Sequence, residues 1–234
     1  MTHVGRGLLA LCALLSGCRP EPGLPSPCGH AHNDYAHDRP LLDALDLGFC
    51  SVEADVVLSQ GELFIAHEEE AIEPSRTLES LYLEPLAQRI EDLGAARRDG
   101  GTLILLVDVK TDATATYLAL HELLGRFDFI TTISDGVVTR KAVDVVISGN
   151  RDPELMAAQS VRFAGYDGRL ADLASDAPAH LMPMISDDWY DHFVFSGVGE
   201  PGDQDRRLLE DSVRDSHDKG RLLRFWGTLD EPLM

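Results

Sequence analysis

From about residue 28 the chain alternates short apolar runs with longer amphipathic stretches. Short apolar runs, continuous or alternating, read as strands; apolar positions three and four apart read as helices. The pattern predicts strands over 28–33, 49–58, 102–109, 142–147, 161–164, 181–185 and 221–226. A return strand over 62–66 follows the Ser59-Gln60-Gly61 turn. Helices are predicted over 41–47, 77–97, 113–127, 152–159 and 205–219, the first opened by Pro40 and closed by Gly48. A hairpin-like pair is expected around Asp135-Gly136. The run at 102–109 is apolar almost throughout, as expected of a strand covered on both faces.

Alternating strands and helices place the chain in the α/β class. Two architectures compete, the doubly wound sheet and the eight-fold barrel. No Gly-x-Gly-x-x-Gly follows the first strand, which argues against a dinucleotide fold. Nearly every predicted strand ends in a polar group: His32, Glu53 with Asp55, Asp108 with Lys110, Ser148 with Asn150, Tyr166 with Asp167, Ser186, and Trp226. In a barrel these carboxyl ends converge on one mouth. The expected fold is therefore a TIM (β/α)8-type barrel. Only seven barrel strands are read before Met234, so it is expected to be truncated before its last strand.

Composition is ordinary for a folded domain, with 44% hydrophobic and 26% charged residues, but the net charge of −20 is not. It disfavours nucleic acid as a partner by repulsion and suits a bound cation. Residues 1–17, with Arg6 ahead of a short apolar stretch and Leu15-Ser16-Gly17-Cys18 at its end, resemble a bacterial lipoprotein signal peptide. Cys18 would be the lipidated residue, residues 18–27 a Pro-rich spacer, and 28–234 the barrel domain. The expectation is an exported protein held at a membrane by its lipid anchor. Cys28 and Cys50 either pair or stay as buried thiols.

Glu53 and Asp55, two apart on a strand, point to one face. Side by side they repel unless a cation sits between them. Asp108, ending the next strand, offers a third oxygen, and three carboxylates suit a hard ion such as Mg2+ or Ca2+. His32 and His67 end strands on either side, where imidazoles serve as acid and base. His30 is a second candidate on the face of His32, and His37 reads as a loop residue. Asn33 is a candidate contact to phosphate or metal. Lys110 fits either a phosphate contact or a salt bridge. Trp226 fits either the pocket wall, stacking on a cationic head group, or the core.

As a set, His32-Asn33-Asp34, Glu53-x-Asp55, Gln60-Gly61, Ala66-His67-Glu68 and Asp108-x-Lys110 resemble the phosphatidylinositol-phospholipase-C-like phosphodiesterases, which include the glycerophosphodiester phosphodiesterases. With Ser51-Val-Glu-Ala-Asp55 and Arg224-Phe-Trp-Gly-Thr228, the likeness is nearest to the altered inheritance of mitochondria protein 6 branch. It implies a barrel, Mg2+ or Ca2+ on Glu53, Asp55 and Asp108, and His32 and His67 as the acid–base pair. It further implies hydrolysis of a small or phospholipid-derived phosphodiester, with Asn33, Lys110 and Trp226 on the substrate. His32 is followed by Asn-Asp, not the Arg-Gly of glycerophosphodiester phosphodiesterases, so their substrate does not carry over. The alternative is a non-catalytic binding lipoprotein on the same scaffold.

Overall fold

The computed structural model describes residues 29–228. Among these, the strands are β1 (His30–Ala31), β2 (Ser51–Ser59), β3 (Glu62–Ile65), β4 (Leu103–Val109), β5 (Thr132–Ser134), β6 (Val137–Thr139), β7 (Val143–Gly149), β8 (Val161–Arg162), β9 (Gly165–Gly168), β10 (Met184–Asp188) and β11 (Leu222–Trp226). The helices are α1 (Leu42–Asp46), α2 (Glu84–Leu93), α3 (Ala113–Leu124), α4 (Pro153–Ala158), α5 (Trp189–His192) and α6 (Asp203–Asp218). The main sheet runs β1-β2-β4-β7-β9-β10-β11 with every neighbouring pair parallel, and β3 pairs antiparallel with β2.

Local chemistry explains the boundaries. Asp112 caps α3 by accepting from the Ala115 amide at 2.8 Å, and Asp152 caps α4 through Leu155 at 3.0 Å, with Pro153 in the first turn. In the β2–β3 turn Gln60 and Gly61 both take positive φ, 51° and 83°, the conformation a two-residue hairpin needs. Leu103, Leu105 and Val107 on β4 are fully buried, each worth about 1.5–3 kcal/mol of apolar burial.

This is a curled parallel half-barrel, and the eighth strand of a closed (β/α)8 barrel is not present among the described residues. The curl brings the ends of the sheet within side-chain reach: Arg224 on β11 donates to Glu53 on β2 at 2.7 Å. One predicted strand is corrected. The apolar stretch at 161–164 contributes β8, which joins β5 and β6 in a separate three-stranded sheet. The barrel strand follows it as β9, where Gly165 and Gly168 allow close packing: a Cβ at Gly165 would lie 2.6 Å from Pro183. A strand bounded by two glycines carries too little apolar signal to be read.

Candidate active site

Strand register assembles the site. Asp55 lies opposite Asp108, and Asp108 opposite Ser148, so three strands present one row of polar groups at their carboxyl ends. The row continues: Asp167 accepts from Ser148 at 2.8 Å and also from Ser186, whose neighbour in register is Arg224. Glu53, Asp55, Ser148, Asp167 and Ser186 are all buried, so the upper interior of the half-barrel is polar. Buried polar groups of this kind persist only when paired, and the pairing defines the chemistry.

Glu53 accepts at Oε2 from His30 (2.9 Å) and Arg224 (2.7 Å). Burial alone would raise its pKa, but the His30 hydrogen bond and the Arg224 charge hold it below the usual carboxylate value. Asp55 accepts at Oδ2 from His67 Nδ1 (2.6 Å), the Tyr35 hydroxyl (2.9 Å) and Lys110 (3.1 Å). Its Oδ1 is buried without a partner. Asp108 pairs with Lys110 at 3.1 Å, yet burial and its two carboxylate neighbours push its pKa up. Lys110 is held above its ordinary pKa: burial works against its charge, but Asp108 and Asp55 outweigh it.

Glu53, Asp55 and Asp108 each offer an oxygen within 4.8 Å of the others, so the three could hold a metal ion. The orphaned Asp55 Oδ1 and the all-oxygen donor set fit a hard divalent cation. The backbone is shaped for this arrangement at Gly149. It takes φ +66°, and a Cβ there would fall 2.1 Å from Asp108 Oδ1.

The three neighbouring histidines separate by what each nitrogen touches. An ionised carboxylate only accepts, so His30 carries its proton on Nε2, and its Nδ1 accepts from Ser51 at 2.7 Å. Both ring nitrogens are used, and burial with the nearby Arg224 lowers its pKa, so His30 is a neutral positioning group. His67 donates Nδ1–H to Asp55, which leaves an Nε2 lone pair for chemistry. His32 accepts at Nδ1 from Arg224 at 3.1 Å, which places its proton on Nε2. His37 lies exposed in the loop.

A cavity of about 250 Å³ is lined by His32, Asn33, Glu53, His67, Asp108, Lys110, Ser148, Arg169, Arg224 and Trp226. The residues expected at the site thus meet around it, with Asp55 buried just behind. Asn33 reaches the rim in a left-handed conformation with φ 48°. Asp34, beside it, is structural: its carboxylate accepts from the Leu41 amide and the Tyr82 hydroxyl. Lys110 makes salt bridges to two aspartates, and Trp226 belongs to the wall. Three lining residues had no role assigned from sequence, Ser148, Arg169 and Arg224. A lone arginine inside the apolar run Leu222-Leu-Arg-Phe-Trp226 was the available signal, because a charge buried on a strand needs a partner. Arg169 follows a glycine in a loop and gave none.

Residues 23–167 match the family described as AIM6-like phosphodiesterase domain. The chain is 32% identical over 236 positions to the altered inheritance of mitochondria protein 6 homolog of Arthroderma benhamiae, covering 87% of this chain and 73% of the relative. It is 26% identical to altered inheritance of mitochondria protein 6 of Eremothecium gossypii, over 87% of this chain and 61% of the relative. The Saccharomyces cerevisiae protein of that name is 28% identical over 58% of this chain and 40% of its own length. No solved structure matches significantly. These fungal and yeast relatives overturn the expected localisation as an exported bacterial lipoprotein; residues 1–17, read as a signal peptide, lie outside the described residues. A four-residue lipobox after a short apolar run is too small a pattern to outweigh a family match. Cys18 and Cys28 lie outside the described residues, Cys50 is buried in a disulfide, and no described helix is long and apolar enough to cross a membrane.

Proposed function

The chain belongs to the AIM6-like phosphodiesterase family, and on that premise we propose that it is a metal-assisted phosphoric diester hydrolase acting on a small or lipid-derived phosphodiester. The observation that carries the reading is the meeting of two histidines held as opposite tautomers with the carboxylates Glu53 and Asp108 at one cavity, Asp55 being buried within ligand distance of both. His67 Nε2 takes the proton of the attacking hydroxyl, which belongs to water or to the substrate itself. The departing oxygen takes a proton from Nε2 of His32 in its imidazolium form as the P–O bond breaks; in that form Nδ1–H turns from Arg224 to Glu53 Oε2, 4.0 Å away, and the neutral ring is left behind. Attack by a substrate hydroxyl gives a cyclic phosphate, and attack by water gives the monoester. Asp55 holds His67 in the tautomer this requires, as a buried carboxylate does for a catalytic imidazole. Lys110 and Arg224 neutralise the phosphate oxygens. Glu53, Asp55 and Asp108 would hold Mg2+ or Ca2+, which when bound supplies Lewis-acid polarisation of the phosphoryl group.

The test is hydrolysis of bis(4-nitrophenyl) phosphate with and without chelator, comparing wild type with His67→Ala and Glu53→Gln. Activity surviving both substitutions and chelation sinks the mechanism. A second reading, a non-catalytic binding scaffold, is favoured by one contact: Arg224 already gives Glu53 a cation. Tight phosphodiester binding without turnover in added Mg2+ or Ca2+ would select it.

A further inference from the structure

The cavity wall carries a cluster of cations beside its carboxylates. Arg169 lies with its Cζ 5.0 Å from the centre of the Trp226 ring, and the Arg224 Cζ lies 6.0 Å from the same ring. Lys110 lines the cavity with them, and Arg151 is close enough for Arg169 to disfavour its charge. These four belong to a chain with 20 basic against 40 acidic residues, so their gathering at one mouth offsets the carboxylates there where most of the chain leaves them in excess.

Arg169 is built in place. Its Nη1 donates to Asp167 Oδ2 at 2.9 Å, to the Gly168 carbonyl at 3.1 Å and to the Ser186 carbonyl at 3.4 Å. Asp167 is itself fully buried and fixed by Ser148 and Ser186. All three Arg169 bonds leave from Nη1, so Nε and Nη2 have no protein acceptor among the described residues, and the residue lines the cavity. Arg224 likewise uses only Nη2, on Glu53 and His32. Only in Arg169 are the two open nitrogens, Nε and Nη2, adjacent on one edge of the fork, the arrangement for bidentate contact with a carboxylate or phosphate.

We propose that Arg169, backed by Asp167 and set against Trp226, forms an anion subsite. It would select phosphodiesters whose second ester arm carries its own negative charge, such as a carboxylate or a further phosphate. The same wall rejects a quaternary-ammonium arm. Trp226 cannot serve as a cation platform while two guanidinium groups lie over it. Only the identity of the scissile group rests on the phosphodiesterase reading. The subsite itself is a statement about binding.

Bis(4-carboxyphenyl) phosphate and bis(4-nitrophenyl) phosphate are near-isosteres that differ in arm charge, and 4-nitrophenyl phosphocholine supplies the cationic arm. Calorimetric binding to the full chain should favour the carboxyphenyl ester about tenfold over its nitro isostere, the worth of a charge-assisted hydrogen bond. The choline ester should bind weakest. Arg169→Gln should abolish the preference, Arg169→Lys should restore part of it, and unchanged melting temperatures would show that both variants fold. The proposal fails if wild type shows no preference, if Arg169→Gln keeps it, or if the choline ester binds as well as the others. A preference found in a protein that hydrolyses none of the three supports the subsite and removes the catalytic reading. Turnover without preference does the reverse.

Discussion

Arg224 and Glu53 stand 171 residues apart in sequence and 2.7 Å apart in space. Their side chains are 14% and 4% exposed, so the pair is effectively buried and joins the last strand of the curled sheet to its second. Removing one partner of such a pair strands the other charge. Arg224→Ala is expected to cost about 3 kcal/mol, read as a lowered urea midpoint with the slope unchanged. Loss below about 1 kcal/mol would mean that water replaces the guanidinium and that the sheet does not depend on the bridge.

Gly149 fixes where Asp108 can be. Alanine there meets both a positive φ and a Cβ position 2.1 Å from Asp108 Oδ1 and 2.5 Å from the Val109 carbonyl. Gly149→Ala should destabilise by about 1–3 kcal/mol and weaken binding of a luminescent lanthanide probe. Gly61 has a similar φ, but a Cβ there meets nothing within 4 Å. Gly61→Ala should therefore cost stability alone and leave lanthanide binding intact.

Asp167 makes stability depend on pH in a stated direction. Burial raises its folded pKa above the ordinary aspartate value, against the pull of the Ser186 bond and the Arg169 charge. The folded state therefore holds the proton more tightly than the unfolded one, and stability falls as pH rises from the unfolded value through the folded one. Across this window Asp167 contributes a downward slope of unfolding free energy with pH, against the opposite contribution of Glu53 and Asp187, whose pKa values are held low. Asp167→Asn should remove that contribution, and an unchanged slope would show that the carboxylate titrates normally.

His67 and His37 make a matched pair for kinetics. His67→Asn should lower kcat about a hundredfold or more with little change in KM, because the ring acts in proton transfer. His37→Ala, in the exposed loop, should change neither.

Much of this was readable from the chain because it is local or periodic. The alternating run around Glu53 and Asp55 set both carboxylates on one face, and Asp108 followed at the end of the next strand. Register then did the rest. The reading of the histidines was less complete, since the neighbours of each nitrogen come from other strands: His30 took the Glu53 contact, which sequence spacing alone could not award. β9 escaped because its glycines exist to admit Pro183 and Met182, which are tertiary neighbours. Arg169 escaped because a loop arginine has no period, and its clamp spans two strands, β9 and β10.

The hairpin of β2 and β3 carries a kinetic consequence. It delivers His67 to Asp55 across only 12 residues, whereas Glu53 waits for Arg224 across 171. Loop-closure entropy and contact order favour the short connection first, so the carboxylate–histidine half of the cavity should be native-like in the folding transition state before β11 docks. Arg224 then acts as a late latch. Its substitution should accelerate unfolding while leaving the refolding limb of the chevron nearly unmoved.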